Sequence, residues 1–248
     1  GITLSGGGTR GIAHLGVLHA LEELNIKIDK IAGVSAGAIA GALYSAGYKP
    51  EEILKMIVDY PKIKFFQPSL MSSLGFFDMK PLQDLIKKYI PHNDFSQLKI
   101  PLSVGATDVE EGKEVIFSEG DLATCLMASS CVPILFKPIQ YEGKMYLDGG
   151  LLNGMIVKPL EDCDKIIGVH VNPFNKKYPL KNAKDIFERC FTLAVHSNSR
   201  HNFSVCDVVI EPLELANWAA FRLDKARQMY EIGYYATMEK KEELLKLI

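Results

Sequence analysis

Short apolar runs alternate with segments of helical periodicity at the start of the chain. Ile2-Thr3-Leu4-Ser5 reads as a buried strand, broken by Gly6 to Gly11. From Ile12 to Asn25 the apolar residues Ile12, Leu15, Leu18 and Leu21 recur at helical spacing, with Glu22 and Glu23 on the solvent side. Lys30 to Val34 is a second short strand. Ala36 to Ala46 is a helix of small residues stopped at Gly47. Pro50 suits the first turn of a further helix, and Glu51 and Glu52 complement its positive end. Strand, helix, strand, helix is the pattern of a parallel sheet with helices packed on its faces.

Farther along, Pro101 to Val109 and Glu114 to Ser118 read as strands, and Asp121 to Ser130 as a helix. Phe136 to Leu147 reads as two strands turning at Glu142-Gly143. Lys165 to Val171 is a strongly apolar strand. Ala183 to Arg200 and Asp224 to Leu247 have helical character, with a short strand at Asp207 to Ile210 between them. With no internal repeat and no low-complexity linker, one domain over residues 1–248 is the simplest expectation. Pro61 to Met79 is different: it carries Phe65, Phe66, Phe76 and Phe77 among Pro, Ser and Gly without clean periodicity. Two readings stand, a loop packed on the core, or a functional segment, either a flap over an apolar acyl pocket or a patch that touches lipid.

Composition narrows the function classes. Hydrophobic residues make up 48% of the 248 and the net charge is −2, so a sizeable core is affordable and nucleic acid is not the expected partner. The cysteines (Cys125, Cys131, Cys163, Cys190, Cys206) are odd in number and have no Cys-x-x-Cys spacing. Reduced, buried thiols are therefore expected, with neither a disulfide framework nor a zinc site. No run approaches the length of a membrane span. The expected location is cytoplasmic, with peripheral contact to membrane or lipid aggregates. The chain opens at Gly1 within a strand pattern, which leaves room for a trimmed leader.

Chemistry concentrates at three glycine-rich points. Gly33-Val34-Ser35-Ala36-Gly37 matches G-x-S-x-G where a strand ends and a helix begins. A sharp turn there presents the serine hydroxyl, and the helix directs its positive end at it. Gly6-Gly7-Gly8-Thr9-Arg10-Gly11 also lies between strand and helix. A dinucleotide fingerprint lacks its acidic residue at the end of the second strand, and a P-loop lacks Gly-Lys-Ser/Thr. An oxyanion hole of unshielded backbone N–H groups fits better. Arg10, a cation at a helix start, calls for a role: steadying the loop or attracting an anionic head group. Asp148-Gly149-Gly150 ends a strand and reads alone as an ordinary turn. A histidine-dependent triad stays open, with His170 its best candidate and His196 and His201 also late enough in the chain. His14, His19 and His92 read as packed or surface residues.

These three motifs, in this order and spacing, resemble those of patatin-like phospholipases, as do Ile12 to Leu18 and Ala128 to Pro133. The likeness runs to about Pro159, and small bacterial members are the nearest comparison. The resemblance implies a three-layer α/β/α sandwich with a mainly parallel central sheet. It implies a Ser-Asp dyad without histidine: Ser35 as nucleophile, Asp148 as base, and the backbone of Gly6, Gly7 and Gly8 as the oxyanion hole supported by Arg10. Gly11, Gly33, Gly37, Gly149 and Gly150 support the motifs. The implied substrate is a phospholipid, lysophospholipid or neutral-lipid ester, cleaved without metal or cofactor. The family often has paired asparagines after Asp-Gly-Gly-x-x, whereas here Asn153 is followed by Gly154. Two further readings compete with hydrolysis through the dyad: a Ser-His-Asp esterase or acyltransferase, and an inactive lipid-binding module.

Overall fold

The computed structural model describes residues 1–59, 75–175, 180–218 and 223–248. Within them the strands are β1 (Ile2–Leu4), β2 (Ile31–Val34), β3 (Leu102–Asp108), β4 (Lys113–Phe117), β5 (Ile139–Tyr141), β6 (Lys144–Asp148), β7 (Ile167–Val169) and β8 (Val208–Ile210). The main helices are α1 (Ala13–Glu23), α2 (Ala36–Ser45), α3 (Pro50–Asp59), α4 (Lys80–Tyr89), α5 (Leu122–Ser130), α6 (Ala183–Ser199) and α7 (Ala226–Glu239). All eight strands form one sheet in the order β5-β6-β3-β2-β1-β7-β8, with β4 also paired to β3. β3, β2, β1, β7 and β8 run parallel, while β4, β5 and β6 are antiparallel additions at one end. The sheet is thus mixed, with a parallel centre flanked by helices.

The central strands are buried on both faces. Every residue of β1, β2, β3 and β7 is buried, as expected of strands covered by crossover helices. The β5–β6 hairpin turns at Glu142 and Gly143, whose φ values of 48° and 77° suit a tight two-residue connection. The C-terminal helical stretch divides at Lys240: α7 ends at Glu239, and a single turn follows over Lys241–Leu244. Cys190 is exposed, unlike the other four thiols.

Helix α4 has no counterpart in the sequence reading, which places no element between Met79 and Pro101. Pro81 looks like a breaker there, yet it occupies the first turn, where its missing N–H costs nothing. Leu82, Leu85 and Ile86 then bury one face. Of the phenylalanine-rich segment, Phe65 and Phe66 lie outside the described residues. Phe77 forms an isolated bridge to Phe136, and Phe76 is 66% exposed. Among the described residues no helix is long and apolar enough to cross a membrane.

The closest helix contact joins α1 to α7. A side chain on Gly16 would strike the Tyr230 carbonyl, and one on Gly233 would strike the Ala13 carbonyl. This mutual approach explains why α1 is buried almost all round rather than on one stripe. Gly16→Val should therefore cost at least about 3 kcal/mol through forced separation of the helices. Urea denaturation of the variant against the parent checks this, and a loss below about 0.5 kcal/mol would mean the crossing is not tight.

Candidate active site

Strand β3 brings the two distant motifs together. Val34, the last residue of β2, pairs with Gly105, and Asp148, the last residue of β6, pairs with Ala106. Strand β4 spans residues 104–108 on the other edge of β3, so β2 and β6 share one edge and meet end to end. Ser35 and Asp148 thus follow from adjacent rungs of a single strand. Both line one small recess of about 20 Å³, together with Gly6, Gly7, Gly8 and Asn172.

Ser35 has φ 52° and ψ −122°, a strained conformation for a non-glycine residue. The turn is held by Ser129, whose hydroxyl accepts from the Ser35 amide at 2.7 Å and donates to the Gly105 carbonyl at 2.6 Å. Tight packing needs the flanking glycines: Gly37 lies against the backbone of Leu4 and Ser5, Gly33 against Ala38, and Gly11 against Ala36. Helix α2 begins immediately after Ser35, so its unpaired first-turn N–H groups face the hydroxyl's surroundings.

Asp148 is buried, and its pKa is pushed up to about 7 by that burial, with the Ser35 hydroxyl and the Gly150 amide pulling it back down. Oδ1 accepts from the Gly150 amide at 2.8 Å. Oδ2 is buried and makes no aligned hydrogen bond, so the Ser35 hydroxyl acts on the carboxyl group without fully satisfying that oxygen. The backbone around Asp148 is pinned on both sides: its amide donates to the Cys131 carbonyl at 2.9 Å, and its carbonyl accepts from the Thr107 hydroxyl at 3.0 Å. Gly149 packs against the Gly105 carbonyl, a spot where any side chain would clash.

The glycine loop divides its functions. The Gly6 amide donates to the Gly154 carbonyl at 3.0 Å and is therefore already engaged. Gly7 and Gly8 border the recess, Gly8 with φ 55°. Arg10 is 2% exposed; its Nε donates to the Trp218 carbonyl at 2.8 Å and its Nη1 reaches Asn172 Oδ1 at 3.4 Å. A guanidinium so enclosed ties the loop to the C-terminal segment and is not presented to a head group.

On the other side of Ser35 lies an apolar cavity of about 190 Å³. Gly8 and Ser35 form its floor, and Ile39, Ile57, Leu82, Leu85, Val132 and Phe136 line its walls. Helix α4, absent from the sequence reading, supplies two of these side chains.

Several supporting residues escaped the sequence reading. Asn198 on α6 donates to the carbonyls of Gly150 (2.8 Å) and Leu151 (3.1 Å) and accepts from the Gly154 amide (2.9 Å). Asn153 Oδ1 accepts from Asn202 and from the Met155 amide, so the Asn153-Gly154 step is held by its own network. A side chain on Gly154 would strike Ser199 and Val195, which accounts for glycine at this point. None of the six histidines lines the recess or the apolar cavity among the described residues. His170 pairs with Glu211 at 2.9 Å, His14 with the Ser5 carbonyl at 2.8 Å, and His196 with the Asn172 carbonyl at 3.1 Å.

The raised pKa of Asp148 has a signed consequence for stability. The folded protein holds a proton that the unfolded chain releases between about pH 4 and pH 7, so this carboxyl group opposes folding fully above about pH 7 and not at all below about pH 4. Asp148→Asn should be more stable than the parent at pH 8, with about 4 kcal/mol as the ceiling, and the difference should fade toward pH 4. Urea denaturation across that range tests it; a pH-independent difference would contradict the burial effect.

Comparison with known proteins agrees with this architecture. The family model described as patatin-like phospholipase matches residues 2–160. An NTE family protein of Mycobacterium tuberculosis is 32% identical over 175 residues, 69% of this chain and 48% of its own length. The lysophospholipase NTE1 of Kluyveromyces lactis is 26% identical over 94% of this chain and 18% of its own. The chain thus spans about half or less of the length of these relatives. The crystal structure of VipD from Legionella pneumophila superimposes with a TM-score of 0.57 over 97% of this chain and 66% of its own, at 13% identity, a likeness of fold. The chain belongs to the patatin-like phospholipase family.

Proposed function

We propose that this chain cleaves carboxylic ester bonds of lipids through an acyl-enzyme on Ser35, with Asp148 as its base. The observation that carries this is the end-to-end meeting of β2 and β6 on one edge of β3, which sets a strained serine beside a buried carboxyl group. Ser35 Oγ attacks the ester carbonyl as Asp148 accepts its proton. The oxyanion is held by the amides of Gly7 and Gly8 and by the first amide of α2, at Ala36. Asp148 returns the proton to the leaving alcohol, and water then releases the acid. A carboxyl group with a pKa near 7 is well matched to this shuttle, whereas an ordinary carboxylate near 3.9 is a weak base.

The apolar cavity supports a fatty acyl chain as the part of the substrate bound there. Relatives named as lysophospholipases favour a single-chain phospholipid. The histidine-dependent alternative loses ground because none of the histidines lines the recess or the apolar cavity among the described residues. Phe76 and Ile134 form an exposed apolar lip: the Phe76 amide donates to the Ile134 carbonyl, and Phe136, two residues on, lines the cavity. Ile134 has φ 69°, strained for a β-branched residue, which suits a side chain held outward for a lipid surface.

A fluorophosphonate probe should label Ser35 and fail on Ser35→Ala. Asp148→Asn should lower kcat/KM by at least about 10³, as removal of a general base requires when geometry is also disturbed. In the parent enzyme kcat/KM should rise as pH passes about 7 and then level. His170→Ala should keep most activity if it stays folded. Full activity in Asp148→Asn, or loss to background in a folded His170→Ala, would reject the Ser-Asp assignment. Phe76→Asp should weaken action on vesicle-bound lipid at least fivefold more than on a soluble short-chain ester, and equal losses would remove the lip from the account.

A further inference from the structure

Behind the glycine loop lies a second cluster that ester cleavage does not use. His170 ends the apolar run that contains β7, Glu211 follows β8, and His196 projects from α6. One ligand atom from each lies within 4.8 Å of the other two. The facing atoms of the first pair, His170 Nδ1 and Glu211 Oε1, are 2.9 Å apart. An edge of a tetrahedral zinc site measures about 3.3 Å, given metal–ligand lengths near 2.0–2.1 Å. His196 donates from Nδ1 to the Asn172 carbonyl, which leaves Nε2 bare, the usual second bond of a metal-binding imidazole.

Proton bookkeeping points the same way. His14 Nε2 faces the Ser5 carbonyl, which only accepts, so that nitrogen carries the proton and Nδ1 is an acceptor. His170 Nδ1 faces a carboxylate, so in the neutral ring it is Nε2 that is bare. Both bare nitrogens are fully buried and neither has a hydrogen-bond partner among the described residues. The rings are close enough for charge on His170 to act on His14. A cation on His170 Nδ1 moves the ring proton to Nε2 and turns an orphan acceptor into a donor, with no net proton released.

We propose that His170, His196 and Glu211 bind a divalent transition-metal cation of the zinc class. Two histidines and one carboxylate suit such an ion, and the partly exposed Glu211 gives it an entry path. Its role is to clasp the ends of β7 and β8 to α6. Asn172, two residues from His170, bonds the Gly6 carbonyl and Arg10, so the clasp stiffens the glycine loop from behind. Arg200 opposes it, since its charge acts on both Glu211 and His170.

Titration of the full chain with Co²⁺ should give one equivalent with d–d absorption and no sulfur-to-cobalt charge transfer. Zn²⁺ should raise the thermal midpoint. His196→Ala and Glu211→Gln should each weaken binding at least about tenfold, and Arg200→Gln should tighten it severalfold. If either variant fails to fold, ¹⁵N spectra of the parent should show Zn²⁺ shifting the nitrogens of two histidines. An absent cobalt band, a sulfur charge-transfer band, unchanged affinity in all variants, or unmoved histidine nitrogens would reduce the cluster to an ordinary buried ion pair and overturn the proposal.

Discussion

Everything in the site depends on one edge of β3 being shared by two strands of opposite direction. β2 arrives parallel and stops at Gly105; β6 arrives antiparallel and stops at Ala106. Neither strand extends further without colliding with the other. The residue that follows β2 and the residue that ends β6 must therefore crowd into the same small volume. Small residues make that possible: Gly33, Gly105 and Gly149 lie where side chains would overlap their neighbours or crowd them closely. The same crowding removes water from Asp148, and loss of solvation is the leading cause of its raised pKa. Topology and acidity are thus one fact seen twice.

Much of this was legible in the residues. The alternation of short apolar runs with helical segments marks the parallel centre because strands buried on both faces need nothing but apolar and small side chains. The Glu142-Gly143 turn was legible because a tight hairpin demands backbone angles that few residue pairs adopt. Ser35 stood out because G-x-S-x-G at a strand-to-helix corner is a local signature that the residues themselves carry. Asp148 did not, since an Asp-Gly turn is common and only its partner across β3 gives it meaning.

What stayed hidden is the contribution of long-range contacts. Asn198 and Thr107 look like ordinary polar residues, yet each satisfies a backbone group of the Asp148-Gly149-Gly150 motif, distant in the chain. Nothing local marks them. Helix α4 is short, and its apolar face of Leu82, Leu85 and Ile86 lies among lysines and polar residues. A motif shows where amides are unshielded but not which are already bonded, as the Gly6 amide is to the Gly154 carbonyl. Arg10 follows the same logic, for its carbonyl partner belongs to Trp218, more than two hundred residues along the chain.

The family likeness matches residues 2–160, but the turn that carries Asp148 leans on α6, which lies beyond that stretch. Asn198 holds two carbonyls and one amide of this turn with a single side chain. The Asp148 carboxyl group is therefore mounted on a turn held by a helix that lies outside the stretch matched by the family. Two proteins with identical signature residues can, on this construction, differ in turnover simply because one grips that turn more loosely than the other.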